Sequence, residues 1–416
     1  MDDLYARVRK RRQLEAAWRK IRENGRTSSS KDTRRSVAHF EQDETRNLER
    51  LQEQLQKRTF RFAPQIGIAA KKAKSSGRRP IVIAPLENRI IQRAVLDVAQ
   101  SEIPAVASIL EIPTSVGGIP KRGVGHALKI IDQQFRNGAT FFVRSDISGF
   151  FTKIPRAEVT AFLEKVCDEP RFVELFERAM ITELANIDAA GVLEHRDIFP
   201  IGPVGVAQGS PLSPLVGNIL LRDFDKQMND RGICCIRYID DFLLLGPSEK
   251  KVRAAFRSAS RMLESYDMTA YAPETNPDKA DAGPVGNSFD FLGYQVSPGL
   301  FMPSKSARNR IDQRVQEIVK SAKATLKQVS NGSDSDLSRY RYCQTLKYLN
   351  DTLKGWVYAF QHTSSKQCLE EMDKKIDVHL LGLEKYVAKL IEKADPKTKR
   401  RLIGVFLLAD LIPGRS

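Results

Sequence analysis

The alternation of apolar and polar positions changes character along this chain, and each change predicts a different element. Residues 4–22 set apolar side chains among charged ones and read as a charged helix. Residues 24–36 lose that spacing, and Gly25 with a run of serines predicts a polar linker that builds no core. A second helix is expected over residues 41–56. The Lys/Gly/Ser stretch 71–77 reads as a loop leading into Ile81-Val82-Ile83, a continuous apolar run of the kind found in buried strands. From Ile90 onward short strand-like runs alternate with helical ones and no fixed-period repeat occurs, so the expected class is α+β and not a solenoid. Beyond Pro303 the pattern is helical alone. There Ile311, Val315, Ile318, Val319, Ala322 and Leu326 share one helical face while Arg308, Arg310, Arg314 and Lys320 occupy others, which predicts a separate helical domain. Residues 402–408 are apolar but too few to span a bilayer, so they are expected to pack on the body or against another copy of the chain.

Length and charge narrow the picture. A chain of 416 residues has room for two or three packed units. Lys and Arg number 67 against 51 Asp and Glu, and the net charge of +16 favours a polyanionic partner such as nucleic acid. The basic runs 7–12, 71–79 and 397–401 have the composition of solvated faces or arms. Met1 is followed by acids and then bases without the apolar stretch of a signal peptide, so a cytoplasmic protein is expected. Five cysteines form no C-x-x-C pair and no H-x-x-x-H accompanies them, which predicts free thiols and no zinc site.

Three segments carry candidate chemistry. Arg237-Tyr238-Ile239-Asp240-Asp241-Phe242 lies between the apolar runs 233–236 and 243–245, a pattern that predicts a hairpin with carboxylates at its tip. A further apolar run, Phe141-Phe142-Val143, leads to Asp146 and predicts a third carboxylate at a strand end. Three such acids make a hard oxygen site of the kind magnesium takes, with water or phosphate completing the octahedron. Between them, the glycine-bearing stretch 205–214 predicts a turn into a helix, with Ser213 as N-cap and Pro214 as first helical residue.

In this order and spacing the segments resemble the palm of reverse transcriptases, with Tyr238-Ile239-Asp240-Asp241 as the Tyr-x-Asp-Asp box and Ala207-Gln208-Gly209-Ser210-Pro211-Leu212-Ser213-Pro214 as the helix-entry motif. Upstream, Arg78-Arg79-Pro80-Ile81-Val82-Ile83 and residues 88–95 resemble fingers segments of bacterial retroelement enzymes, and Gly118-Ile119-Pro120-Lys121-Arg122-Gly123 resembles a fingers motif of group II intron enzymes. Downstream, residues 289–294 resemble the primer-grip hairpin and residues 348–356 the thumb of intron-type enzymes; Trp356 is expected in a core. The resemblance spans roughly residues 14–360.

That resemblance implies an α+β right-hand polymerase fold, fingers and palm, followed by an all-helical thumb. The implied divisions are an N-terminal helical extension and linker at 1–36, fingers at 37–135 with parts of 155–200, a palm at 136–300 with the catalytic hairpin and primer grip, and a thumb with C-terminal extension at 301–416. Asp146, Asp240 and Asp241 are the implied catalytic acids, holding two Mg2+ ions for which Mn2+ substitutes, with the Ile147 carbonyl as a further ligand. Arg78, Arg79, Phe150, Gln208 and Lys279 are implied nucleotide contacts, Phe150 lying beneath the incoming sugar with Phe151 as its rival. Arg122, Gly209, Tyr238, Leu292 and Gly293 are implied template or primer contacts. Residues 267–279 depart from the more apolar form usual for that palm segment.

The implied activity is RNA-directed DNA polymerisation, taking dNTPs and an RNA template to a DNA product, with no membrane involved. No retron-type Val-Thr-Gly stands near the thumb and Gln208-Gly209 has the ordinary form, so the resemblance is to the group II intron-like and unknown-group, defence-associated bacterial class. No recognisable endonuclease segment follows the thumb. The expectation is therefore an enzyme that copies a cognate structured noncoding RNA in anti-phage defence. The alternatives are a group II intron-type retroelement enzyme or maturase without endonuclease, an RNA-templated RNA polymerase, and an RNA-binding scaffold with a vestigial palm. Homo-oligomerisation stays open.

Overall fold

The computed structural model describes residues 3–28, 30–71, 77–230, 232–332, 340–405 and 407–408. The chain is α+β and divides into two compact units, before and after the junction of Pro284 and Val285. The first unit is built on strands β1 (Ile66–Lys71), β2 (Arg78–Ile83), β3 (Phe141–Asp146), β4 (Cys234–Tyr238), β5 (Asp241–Gly246) and β6 (Asp281–Pro284). Strands β3 to β6 form one antiparallel sheet in the order β4-β5-β3-β6. Its central strands are apolar at consecutive positions, because helices pack against them: Phe142, Val143, Leu243, Leu244 and Leu245 are all buried. The helices Val124–Arg136 and Glu249–Glu264 supply that cover.

At the N-terminus the expected single helix is two, Leu4–Val8 and Arg11–Arg26, and the expected linker at 24–36 is mostly helical. A further helix, Lys31–Gln42, begins inside it, with the Ser30 hydroxyl accepting from the Thr33 N–H. Gly25 acts here as a contact, not a breaker: a Cβ on it would stand 2.5 Å from Val37 Cγ2. Its missing side chain lets two helices approach, and the Trp18 and Phe40 rings then meet at 4.5 Å. This layer, with the helix Glu44–Gln56, joins the core around the apolar helix Leu86–Glu102.

The run Ile81-Val82-Ile83 is not a buried strand. β1 and β2 form a two-stranded antiparallel ribbon in which Val82 is buried, while Ile66, Ile68, Ile81 and Ile83 are 36–45% exposed. The register pairs Ile66 with Ile83 and Ile68 with Ile81, so these four share one face that the ribbon's own core cannot cover. Most of the expected loop at 71–77 lies outside the described residues.

The second unit opens with an antiparallel meander of β7 (Phe289–Phe291), β8 (Tyr294–Ser297) and β9 (Leu300–Pro303). The helices Lys305–Ser330, Tyr342–Ala359, Lys366–Lys393 and Pro396–Ile403 follow. All six residues of the expected apolar face are buried in the first of these, with Leu349, Leu383, Val387 and Leu402 completing a core. Of the apolar stretch 402–408, Leu402 is fully buried in this unit, whereas Val405 and Leu408 are exposed. Trp356 is half-buried, its ring 4.8 Å from that of Phe360. All five cysteines are free, and among the described residues no helix is long and apolar enough to cross a membrane.

Candidate active site

Two neighbouring strands bring the three acids together. Asp146 ends β3, Asp241 begins β5, and the antiparallel register places them opposite each other. Asp240 sits in the two-residue turn Ile239-Asp240 that joins β4 to β5, where Tyr238 pairs with Asp241. Ile239 has φ +63°, a left-handed conformation that is strained for a β-branched residue. The turn is fastened to β3 by the Ile147 N–H, which donates to the Asp240 carbonyl at 3.1 Å. An extended residue turns its N–H and C=O to the same edge. The Ile147 carbonyl therefore points to the side of the acid-bearing hairpin, while the bonds to the 269–271 segment are made by Asp146 and Ser148.

The electrostatics of this corner call for a cation. Burial first, and then the charge of Asp146, push the Asp240 carboxyl up to about 6. Burial followed by the charges of Asp240 and Asp146 pushes Asp241 up to about 7. The nearest counter-charge is Lys279, whose Nζ lies 2.9 Å from Asp146 Oδ2; that hydrogen bond raises the Lys279 pKa. Lys279 rests 5.7 Å above the Tyr271 ring, and Tyr271 in turn donates from its hydroxyl to Ser148 Oγ at 3.1 Å. Among the described residues no three His, Cys, Asp or Glu side chains close on one point as a finished ion cage. The three acids instead form an open corner of hard oxygen donors carrying excess negative charge. That fits a magnesium ion, which keeps several ligand positions for water and phosphate.

Residues 70–296 match the family described as reverse transcriptase (RNA-dependent DNA polymerase). The chain belongs to the reverse transcriptase family. It is 28% identical over 179 residues to an uncharacterized 91 kDa protein in the cob intron of Schizosaccharomyces pombe, covering 43% of this chain and 20% of that protein. It is 25% identical over 261 residues to Protein YkfC of Escherichia coli strain K12, covering 54% and 64% respectively. To the group II intron-encoded protein LtrA of Lactococcus lactis subsp. cremoris it is 30% identical over 155 residues, covering 37% and 24%. The chain thus spans less than two thirds of the length of each of these relatives.

Other expected residues lie beside the carboxylates, along the ribbon or at a strand end. Lys279 joins the carboxylates, as described, despite the unusual polarity of its segment. Gln208 and Gly209 lie against the ribbon: the Val82 N–H donates to the Gln208 carbonyl at 3.3 Å, and Gly209, at φ +113°, would bring a Cβ to 3.2 Å from the Val82 carbonyl. Arg79 is exposed on β2, while Arg78 spends one donor on the Ala69 carbonyl across the ribbon at 2.9 Å. Tyr238 is half-buried at the end of β4.

Three residues do something other than expected. Phe150 is only 2% exposed and packs over Gly217, where a Cβ would come within 2.7 Å of its ring; this is a core phenylalanine, and Phe151 is the more accessible ring of the pair. Arg122 turns its guanidinium to the carbonyls of Ile112, Ser115 (2.9 Å) and Glu111 (3.2 Å), so it braces its own loop. Leu292 and Gly293 form the left-handed turn between β7 and β8 in the second unit, at φ +49° and +84°. Ser213 is the first helical residue, not the N-cap, since the helix runs Ser213–Leu220 behind Leu212. Its hydroxyl is drawn instead to the Ala207 carbonyl at 2.8 Å, closing the glycine-bearing turn.

Sequence reasoning missed the support beneath the hairpin. Arg237 is fully buried and grips Asp225, also fully buried, through Nε–Oδ1 at 2.7 Å and Nη2–Oδ2 at 2.5 Å. The same guanidinium donates to Ser115 Oγ, to Asn218 Oδ1 and to the Ile239 carbonyl, each at 3.0 Å. It therefore holds the strained turn from below. Gly117 completes the fit, because a Cβ there would stand 2.4 Å from the Ile239 nitrogen. The available signal was a lone arginine following the apolar run Ile233–Ile236, since a charge so placed needs a buried partner.

Proposed function

We propose that the chain is an RNA-directed DNA polymerase in which Asp146, Asp240, Asp241 and the Ile147 carbonyl hold two divalent ions. The observation that carries this reading is the register that sets Asp146 opposite Asp241 with Asp240 in the adjoining turn. Bound at this corner, two Mg2+ ions would activate the attacking hydroxyl and neutralise charge on the triphosphate. The protein's share is positioning. The hairpin presents its carboxylates on a turn fixed by Arg237 and Ile147. Lys279 and Arg79 bring positive charge toward the triphosphate, Gly209 leaves room against the ribbon, and Phe151 offers a ring to the incoming sugar. In this reading the ribbon and N-terminal helices serve as fingers, the β4-β5-β3-β6 sheet as palm, and the second unit as primer grip and thumb.

Primer extension tests the activity. RNA and DNA templates are supplied in turn with deoxyribonucleotides or ribonucleotides, and Mg2+ or Mn2+ is titrated. DNA synthesis on RNA that disappears in Asp240→Asn supports the reading; RNA synthesis from ribonucleotides alone would replace it with an RNA polymerase. The biological role we attach to it is anti-phage defence through copying a cognate noncoding RNA, and its net charge of +16 suits a structured RNA partner. Phage plating on cells carrying the native locus or its Asp240→Asn version reads that role directly. Intron mobility without restriction of phage would favour a retroelement enzyme, a reading supported by the 30% identity to LtrA.

A further inference from the structure

Away from the carboxylates, the first unit carries a cleft of about 470 Å3 between the segment that leads into β1 and the helix Pro170–Met180. It is continuous, through Arg61, Glu174 and Arg178, with a smaller hollow that adds Arg58 and Arg171. Four arginines thus face two acids. Arg61 and Arg178 are tied down by donating to the carbonyls of Arg58 and Phe60. Arg58 and Arg171 are exposed, and their guanidinium groups make no hydrogen bond or ion pair among the described residues. Their charge is free for an anion. At the other end the wall is Phe62, half-buried and edge-on to Phe60 at 5.1 Å, together with Gln65. Gln65 is 2% exposed and its Nε2 donates to the Ile181 carbonyl, but its Oε1 has no hydrogen-bond partner among the described residues. A buried acceptor without a donor is a cost that a ligand N–H would remove.

An arginine-lined mouth, an aromatic wall and an unpartnered amide oxygen are the three elements that take phosphate, base face and base edge of an unstacked nucleotide. The cleft is also within the volume range of small-ligand sites. We propose that this cleft is a second RNA site, separate from the polymerase corner, which holds one unpaired nucleotide of a single-stranded RNA. The arginines take the flanking phosphates, Phe62 takes the base, and Gln65 accepts from the base edge. Glu183, at the Gln65 end, stands where the base and not the phosphate would lie. None of these residues belongs to the carboxylate site, so the proposal does not depend on polymerisation.

The test uses the full chain and a fluorescent single-stranded decamer RNA, with binding read by anisotropy over a salt series. Two variants are compared with the parent, Arg58→Ala/Arg171→Ala and Phe62→Leu. Losing two phosphate contacts should reduce the slope of log K against log salt by roughly 1.4 and weaken binding at 0.1 M salt on the order of tenfold. Phe62→Leu keeps an apolar side chain in the wall but removes the stacking face, and should weaken binding by at least about fivefold with the slope unchanged. A 4-thiouridine in the RNA should cross-link within residues 58–65 or 170–183. Extension of a short primer–template should be unaffected in Arg58→Ala/Arg171→Ala. Unchanged slope and affinity, or cross-links confined to other segments, would overturn the site. Arginine dependence without Phe62 dependence would also overturn it, leaving a simple phosphate contact. Competition by inorganic phosphate or AMP as strong as that by RNA would assign the cleft to a free anion or nucleotide instead. A parent protein that bound RNA in this way yet extended no primer would refute the polymerase reading and leave the cleft standing.

Discussion

Removing Asp225 while keeping Arg237 isolates the support of the acid-bearing hairpin. Both side chains are fully buried, and burial alone would lower the Arg237 pKa; the charge and hydrogen bond of Asp225 more than offset it. Asp225→Ala leaves a guanidinium with no counter-charge in the core, a change worth about 3–5 kcal/mol. Against a typical stability of about 5–15 kcal/mol, this is a large fraction of the total. The two tryptophans fall one in each unit, Trp18 in the first and Trp356 in the second, so a Trp356→Phe background lets Trp18 fluorescence report the first unit in urea. In that background Asp225→Ala should lower the midpoint markedly with little change in slope. Arg237→Met/Asp225→Leu removes both charges and should lose less than the two single losses added together, because neither charge is left without its partner, while the neutral groups at Ser115, Asn218 and Ile239 still cost about 1–3 kcal/mol each where they stay unpaired. The double variant should nonetheless stay defective in primer extension, since nothing holds the Ile239 carbonyl. A loss below about 1 kcal/mol for Asp225→Ala, or a double variant whose loss equals the sum of the two single losses, would refute this account of the network.

Asp240→Asn and Asp241→Asn should each abolish primer extension while leaving RNA binding within about twofold, because the carboxylates serve metal and not template; near-normal incorporation by either would remove that residue from the catalytic set. In EDTA the raised Asp240 and Asp241 mean that the folded chain binds more protons than the unfolded one between about pH 4 and pH 7, so stability should fall across that window by up to a few kcal/mol. Mg2+ should restore it, giving a melting-temperature rise that is larger at pH 8 than at pH 5.5 and is blunted in Asp241→Asn; equal rises at both pH values would count against a metal at this corner. Phe151→Ala should increase ribonucleotide use relative to deoxyribonucleotide use, whereas Phe150→Ala should act on stability, costing about 3–5 kcal/mol by leaving a cavity over Gly217. An unchanged nucleotide ratio in active Phe151→Ala would exclude it as the sugar contact.

Elements whose partners are local were legible in the sequence, and those whose partners are distant were not. The hairpin, the strand ending at Asp146 and the apolar face from Ile311 to Leu326 each announce themselves within one short stretch of chain, because pattern and period are local properties. Gly25 misled for the complementary reason: a glycine marks either a break or a close approach, and only Val37, on the next helix, decides which. The ribbon misled because Ile81-Val82-Ile83 looks like a strand covered on both faces, yet two strands alone offer only one side to the core. Ser213 looked like a cap until the Ala207 carbonyl, folded back by Gly209, claimed its hydroxyl. The same logic separates the two layers of the candidate site. The three half-buried carboxylates sit at strand ends and in the turn between them, where motif spacing reveals them. The groups that aim them, Asp225, Asn218 and Ser115 around Arg237, come from three separate segments and are recognisable only by where they converge. The chemistry can therefore be read from a short motif, while the strained turn that presents it depends on contacts spanning more than a hundred residues of chain, such as Arg237 to Ser115.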